Sequence, residues 1–376
     1  EEKKLNILSK QIFKVTNSKL SHIEKIFYLV NDCKQNGTLP FAGLARMAFI
    51  ATKILKSLVG KKIITIKQYN LFFNQLNSIT SEMESDLKSY INKKTSKKKF
   101  INKYGHLRPK TYSLNSPNYK SNFDTYFPKK INKNTEFKNH KFKLDKLQEL
   151  KIKNIFKKHN LLIKPKDFFL FAKKSIELRE WGKFIFTKSI DKIFVNLELL
   201  SNEIKIPKID LEYISINTIL RYKSNLDQRR IKTLLEKEIL ENKKSMQILE
   251  QIKLPDLITK VDDIDFFYLD NVKGNFITDK SVYGELKFYN EIKSLNEIND
   301  SIILIENADP GYDFIFSYNI KGFVSKYGGA NSHMAIRCME LGIPAIIGIG
   351  EKNFENFKRK NSLFIDCKQK VFKILN

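Results

Sequence analysis

A single histidine, His333, follows two glycines and a polar pair in a pattern that suits phosphoryl chemistry. Residues 328–333 read GGANSH, and apolar residues at helical spacing follow them as far as Gly342. Asn331 or Ser332 can cap a helix whose first turn holds His333, and Gly342 can end it. Exposed amides at a helix N-terminus, next to flexible glycines, favour an anion. The pattern therefore predicts an imidazole that attacks phosphorus, although a histidine that merely starts a helix is the plainer alternative.

The longer string GGANSHMAIRCMELGIPAIIG, residues 328–348, resembles the phosphohistidine motif of a known family. That family is the swivelling domain of phosphoenolpyruvate synthase, pyruvate phosphate dikinase and related phosphotransferases. The string matches the family motif at both glycines, at the Ser-His pair, at the apolar helix positions and at the Leu-Gly-Ile-Pro residues that end the helix. The resemblance implies that His333 is the phosphorylated nucleophile and carries phosphate between two distant active sites. Asn331 stands where many relatives have threonine, so their hydroxyl-dependent contacts do not carry over.

Residues 303–316, ILIENADPGYDFIF, resemble the strand and turn that precede this motif in the family. Asp309 is predicted either to orient the imidazole or contact the phosphoryl group, or simply to form the turn before Pro-Gly. The predicted phosphoryl-binding residues are Gly328, Gly329, Asn331, Ser332 and Asp309. No metal ligands are predicted.

Three strings in the N-terminal half suggest an acceptor site. Arg46 stands among small and apolar residues, so we expect it to be buried against an anion, either a substrate carboxylate or an internal acid. The loop from Tyr104 to Tyr119 brings His106, Arg108 and hydroxyl groups together, and it either binds a small molecule or crosses the surface. The predicted substrate-binding residues are Arg46, Arg108, Tyr104, Thr111 and Arg179, with His106 as a possible base; Arg179 could equally form an ion pair on a helix surface.

The loop from Tyr104 to Tyr119 and the His333 string together resemble the capsule-associated branch of the superfamily, which includes L-glutamine kinase. This resemblance implies an acceptor, L-glutamine, whose amide nitrogen receives phosphoryl for capsule phosphoramidate synthesis. ATP and Mg²⁺ would be bound by an ATP-grasp domain that precedes this region, so none is expected tightly bound here. The sequence has no GxxxxGK[ST] loop, and only 43 residues follow His333, too few for a TIM barrel. We therefore expect a fragment of a longer enzyme, with the ATP-grasp domain as its intramolecular partner.

Apolar periodicity predicts a mixed fold in two parts. Residues 1–254 have mostly helical spacing, which predicts a mainly α-helical acceptor domain. Residues 255–376 alternate short β-branched runs with turns, which predicts an α/β swivelling domain. A hinge is expected near Leu254 to Lys260. The lysine-rich run from Lys129 to Lys166 is expected to be a solvated surface or an insertion.

Composition limits the class of partner. The formal charge is +27, yet residues 261–376 sum to about −2 and only eight of the basic residues are Arg. Lysine-rich composition therefore explains the charge better than nucleic acid does, although a basic nucleic-acid-binding module and a purely structural partner of a kinase remain alternatives. Other acceptors, pyruvate or an antibiotic hydroxyl, also remain open. Three widely spaced cysteines are typical of a reducing compartment and predict a cytoplasmic chain. Lysines interrupt the apolar segment 43–59, so this segment is not expected to span a membrane.

Overall fold

The fold is described from a computed structural model. It describes residues 1–77, 79–127, 142–221, 228–249, 252, 258–264, 274–292, 295–330 and 332–375. Contacts divide the chain into two compact units. The first unit consists of Glu1–Tyr90 and Glu136–Leu200, and the second consists of Ile91–Thr135 and Ser201–Asn376.

The described part of the chain contains helices throughout its first 250 residues, as the periodicity predicts. They are α1 (Glu2–Thr16), α2 (His22–Cys33), α3 (Leu39–Gly60), α4 (Ile66–Asn74), α5 (Ile79–Ile91), α6 (Lys97–Tyr104), α7 (Phe123–Tyr126), α8 (Lys146–Lys158), α9 (Pro165–Ile204), α10 (Ile216–Arg221) and α11 (Gln228–Leu249). Two helices, α12 (His333–Leu341) and α13 (Glu351–Lys358), lie in the C-terminal part.

The first unit is a helical assembly built on an apolar core. Side chains from α3, α4, α8 and α9 form this core, among them Leu55, Phe72, Phe156 and Phe168. Capping boxes start α2, α4 and α8, where Ser21, Thr65 and Asp145 each accept a backbone N–H. The lysine-rich run is described from residue 142 onwards and forms α8, which buries Ile152 and Phe156 and leaves its lysines outside.

One helical run in the described residues, His22–Gly60, is long and apolar enough to cross a membrane by length and composition alone. A π-helical turn, Lys34–Thr38, joins α2 to α3 within it. Core helices of soluble proteins share both properties, so this run is weak evidence for a membrane protein.

The second unit contains a seven-stranded mixed sheet. Its strands are β1 (Asn275–Ile277), β2 (Ser281–Phe288), β3 (Ser301–Asn307), β4 (Gly322–Tyr327), β5 (Ala345–Ile347), β6 (Ser362–Asp366) and β7 (Val371–Leu375). They lie in the order β1-β5-β4-β3-β2-β6-β7. Strands β2 to β5 are parallel to their sequence neighbours in the sheet, whereas β1, β6 and β7 pair antiparallel at the two sides.

The central strands are those that the sequence identifies most easily. Ser301–Ile305 is buried throughout, which suits a parallel strand covered on both faces. Strands β1, β3, β4, β5 and β7 coincide with the short β-branched runs of the sequence at residues 276–278, 301–305, 322–325, 345–347 and 371–374. Strands β2 and β6 were not predicted, because both alternate buried with partly exposed or exposed residues and contain polar side chains.

The segment 104–127 belongs to the unit that contains the sheet. The sequence places this segment in the N-terminal half, but its contacts are with the region around residues 309–314. The Tyr126 ring lies 4.9 Å from the Phe314 ring, and the Tyr119 hydroxyl donates a hydrogen bond of 2.8 Å to the Gly311 carbonyl. The predicted domain boundary at residue 254, and most of the predicted hinge from Leu254 to Lys260, lie outside the described residues.

Candidate functional site

Helix α12 begins at His333, as the sequence predicts. The Ser332 hydroxyl accepts a hydrogen bond from the Ala335 N–H at 3.3 Å and so caps the helix. Met334, Ala335 and Cys338 are buried, which fixes the helix against the sheet. Burial raises the pKa of the Cys338 thiol well above its ordinary value, so this neighbouring cysteine is a poor nucleophile. His333 is thereby held in the first turn, where backbone N–H groups lack intrahelical partners.

The loops around His333 follow the carboxyl ends of the parallel strands β3, β4 and β5. Gly328 follows β4 with φ of +136°, and a Cβ there would lie 2.8 Å from the Ala308 Cβ. Gly348 follows β5, and a Cβ there would lie 2.3 Å from the Gly328 oxygen. Only glycine fits so close an approach at these two positions. Gly329 is exposed with open space around it, and Asn331 lies outside the described residues.

Asp313 is the acidic residue that contacts the histidine. Its Oδ2 lies 2.7 Å from His333 Nε2, and its Oδ1 lies 3.7 Å from Arg337 Nε. Arg337 also donates a hydrogen bond of 2.7 Å to Glu340. Asp313 and Arg337 are both buried. Asp313 is not among the site residues predicted from the sequence, although a second acid four residues after Asp309 in the string DPGYD was a usable signal.

Asp309 has a structural role in the described site. Its carboxylate accepts the Gly311 N–H at 2.7 Å and caps the 3₁₀ helix Pro310–Ser317. It also accepts the Thr111 hydroxyl at 2.6 Å. The turn-forming alternative for Asp309 therefore describes these contacts, and the carboxylate beside the imidazole is that of Asp313.

The predicted residues of the segment 104–127 lie in the unit that contains His333. Arg108 is buried and donates a hydrogen bond of 3.2 Å to the Ser116 carbonyl. Tyr104 is fully buried, with its ring 4.9 Å from that of Phe100. His106 is half-buried in the turn after α6. Two members of this group reach the turn at Asp309–Gly311. The Thr111 hydroxyl donates to Asp309, and a Cβ at Gly311 would lie 1.7 Å from the Arg108 carbonyl oxygen.

Arg46 and Arg179 lie in the first unit. The expectation that Arg46 is buried is wrong: its side chain is exposed. The buried face of α3 carries Leu44 and Ala48, and a residue two positions after Leu44 lies about 200° around the helix, on the outside. Arg179 forms an ion pair with Glu180 at 2.6 Å, in agreement with the ion-pair alternative.

The chemistry available at the site is that of an imidazole at a helix N-terminus. Among the described residues, no group of three or more His, Cys, Asp or Glu side chains could hold a metal ion.

Comparisons with known proteins agree with this interpretation of the C-terminal part. Residues 298–370 match the family described as PEP-utilising enzyme, mobile domain. Phosphoenolpyruvate synthase from Aquifex aeolicus is 30% identical over 97 residues, which cover 26% of this chain and 11% of that protein. Phosphoenolpyruvate synthase from Escherichia coli is 29% identical over 96 residues, which cover 25% of this chain and 12% of that protein.

The chain therefore spans only about a tenth of the length of these relatives. The range 298–370 that matches the family contains His333, Asp313, Asp309 and the loop glycines of the site. These similarities relate the C-terminal part of the chain to the swivelling phosphohistidine domain superfamily.

Proposed function

We propose that His333 is a phosphohistidine carrier that accepts a phosphoryl group at one site and delivers it at another. The observation that carries this proposal is the placement of His333 at the first residue of α12, with a buried carboxylate on one ring nitrogen. The helix N-terminus offers backbone donors to a phosphoryl group bound there. The similarity of residues 298–370 to the mobile domain of PEP-utilising enzymes supports the same chemistry.

Phosphoramidate tests the carrier role without the domain that would bind ATP. A nitrogen of His333 would attack phosphorus, a new P–N bond would form and ammonia would leave. We expect the intact mass of the chain to rise by one acid-labile phosphoryl group. His333→Ala should abolish this gain, whereas His159→Ala, which changes an exposed histidine at the end of α8, should leave it unchanged. Equal labelling of the His333→Ala protein would overturn the proposal.

The donor that we propose is ATP, bound by an ATP-grasp domain outside this chain. His333 would attack the β-phosphorus, breaking the bond to the α-phosphate oxygen and releasing AMP. Hydrolysis of the pyrophosphoryl group would then release phosphate and leave phosphohistidine. This proposal rests on the resemblance to the family. The assay is phosphorylation of His333 by ATP in the full-length protein that contains this chain, with AMP measured as the product.

The acceptor that we propose is L-glutamine, and this proposal rests on the resemblance of residues 104–119 and 310–337 to the capsule-associated branch. The amide nitrogen would attack the phosphorus of phosphohistidine, the P–N bond to His333 would break and release the imidazole, and the amide would lose a proton to give the P–N bond of a phosphoramidate. The amide lone pair is delocalised, so the attack needs a base or tight positioning. His106 is proposed as the base, and Arg108, Tyr104 and Thr111 are proposed to bind the substrate.

Phosphorus NMR of the full-length protein with ATP and candidate acceptors distinguishes the possibilities. A phosphoramidate signal with L-glutamine, absent in the His333→Ala protein, would support the preferred acceptor. A signal only with pyruvate or with an antibiotic hydroxyl would replace glutamine as the proposed acceptor and leave the carrier role intact.

We also propose a cytoplasmic location, since ATP and phosphorylated intermediates are found there.

A further inference from the structure

The outer side of helix α8 and the loop that follows it, residues 146–166, carry a dense positive charge. This α8 surface contains seven lysines and one glutamate, a net charge of +6 with His159 neutral. Its lysines are all exposed: Lys146, Lys151, Lys153, Lys157, Lys158, Lys164 and Lys166. Within the described part of the chain, none of these seven lysines forms an ion pair, whereas Lys173 on α9 pairs with Glu177.

The lysines lie on one side of α8 because its other side is packed into the first unit. Ile152 and Phe156 are buried, and the Phe156 ring lies 5.3 Å from that of Phe168. The Gln148 amide donates a hydrogen bond of 2.9 Å to the Ile63 carbonyl. Positions 146, 150, 153 and 157 are three or four residues apart, so they form a row along the outside of the helix. The core of the unit thus fixes the α8 surface toward solvent.

Exposed leucines lie among these lysines. Leu147, Leu150 and Leu161 are exposed, and the side chain of Leu162 is fully exposed. A surface that only attracts charge gains nothing from leucines in water. Lysine heads among apolar side chains suit the boundary between lipid headgroups and acyl chains, where ammonium groups meet phosphates and leucines leave water. Clusters of four to eight basic residues on an amphipathic helix are typical of contact with anionic lipids.

Nucleic acid is the other polyanion that such a charge could attract. Surfaces that bind nucleic acid use arginine to grip phosphates and bases, or exposed aromatic rings that stack on bases. The α8 surface contains no arginine, tyrosine or tryptophan, and its phenylalanine, Phe156, is buried. The phosphate backbone also offers no apolar partner to the leucines. The side-chain chemistry therefore favours a lipid surface.

We propose that the α8 surface binds membranes that contain anionic phospholipids. The lysines attract the lipid phosphates, and Leu147, Leu150 and Leu162 contact the boundary between headgroups and acyl chains. The attachment is peripheral and reversible, because the buried side of α8 keeps this helix in the fold. This proposal is independent of the phosphohistidine function.

Binding of the 376-residue chain to vesicles measures this attachment. The probe is a vesicle of about two parts phosphatidylcholine to one part phosphatidylglycerol, compared with a vesicle of phosphatidylcholine alone. At low salt we expect binding to the anionic vesicle to be at least about tenfold tighter, and added salt should reduce the difference. Equal binding to the two kinds of vesicle, or binding to neither, would overturn the proposal.

A double variant tests whether the α8 surface is the place of contact. Each lysine near an anionic membrane contributes a factor of about five, so Lys153→Gln with Lys157→Gln should weaken binding by about 25-fold. The matched control is Lys232→Gln with Lys237→Gln, which removes the same charge from lysines that pair with glutamates on α11. This control should stay within about threefold of the wild type. Equal losses in the two variants would assign binding to net charge and refute the α8 surface.

Leu162→Gln separates a lipid surface from nucleic acid, because it changes no charge. We expect it to weaken binding to the anionic vesicle by about fivefold, since a leucine that leaves water is lost. Leu240→Gln, which changes an exposed leucine on α11, is the control and should have no effect. A vesicle affinity unchanged by Leu162→Gln would contradict the apolar contact. Tighter binding to a duplex oligonucleotide than to vesicles, equal in the wild type and Leu162→Gln, would assign the surface to nucleic acid instead.

Discussion

At the scale of single residues, the site depends on how buried charges are balanced. The carboxylate of Asp313 faces Arg337 on one side and His333 on the other, and the Arg337 guanidinium also pairs with Glu340. Removing one member of a buried set of charges leaves another buried charge without an opposite partner. The resulting loss in the free energy of unfolding is larger than the net contribution of the whole set. The arginine is therefore expected to matter both for folding and for holding Asp313 against the histidine.

Replacement of Arg337 by methionine tests this balance. We expect Arg337→Met to lower the free energy of unfolding by about 3–5 kcal/mol, since the Asp313 carboxylate would stay buried without its cation. The double variant Arg337→Met with Asp313→Leu should recover a substantial part of that loss, because the buried Asp313 carboxylate that had lost its cation is then removed. Urea denaturation measures both values. A double variant less stable than Arg337→Met would contradict the argument.

At the scale of elements, the 3₁₀ helix Pro310–Ser317 lies between His333 and the segment 104–127, which are about 200 residues apart in the sequence. One side of it carries Asp313 toward His333. The other side contacts the segment 104–127 through Thr111 on Asp309, Tyr119 on Gly311 and Tyr126 on Phe314. Since Phe314 and Tyr119 are fully buried, this packing forms part of the core of the unit that contains the sheet. The segment should therefore move with the histidine if that unit moves.

A pair of glycines tests the importance of this packing. A Cβ at Gly311 would lie 1.7 Å from the Arg108 carbonyl oxygen, so Gly311→Ala must displace the backbone of the segment 104–127. We expect a loss of about 1–3 kcal/mol or more in the free energy of unfolding and a weaker near-ultraviolet circular dichroism signal from the tyrosines. Gly329→Ala is the control, because a Cβ there meets no atom within 4 Å. Equal stability of the two variants would show that the segment is loosely attached.

At the scale of the whole molecule, the second unit is unusual for its buried tyrosines. Burial raises the pKa values of Tyr289 and Tyr318 to about 12, and it also raises those of Tyr119, Tyr126 and Tyr312. The rings of Tyr289, Tyr312 and Phe314 pack together, with centroids 5.1 and 5.8 Å from that of Tyr289. A phenol in such a place remains neutral at a pH where an unfolded one ionises.

This arrangement predicts alkaline destabilisation. Below about pH 10, where tyrosine is protonated in the unfolded chain as well, these residues contribute their full stability. As pH rises from about 10 toward 12, the unfolded chain releases protons first and the free energy of unfolding falls. Urea denaturation at several pH values measures the slope. The double variant Tyr289→Phe with Tyr318→Phe should show a shallower slope, and an unchanged slope would argue against these two phenols as its source.

The distribution of charge also belongs to this scale. The formal charge of +27 arises almost wholly before residue 261, whereas the part that contains His333 is close to neutral. The described site owes its charge to a few buried groups, not to a basic surface. A nucleic-acid-binding module stays an alternative for the N-terminal half. A salt-dependent affinity for nucleic acid would support that alternative, and absence of binding at low salt would exclude it.

The sequence by itself determined the helix at His333, its serine cap, its glycine end and the buried parallel strands, because those features depend on residues close to one another in the chain. It also indicated the phosphohistidine chemistry through the string around His333. Only the tertiary structure decided that Asp313 contacts His333, that Thr111 binds Asp309, and that the segment 104–127 packs against the 3₁₀ helix Pro310–Ser317. It also decided that Arg46 is exposed. Such contacts depend on which helix faces and loops meet after folding, and local periodicity carries no information about pairs separated by 20 to 200 residues.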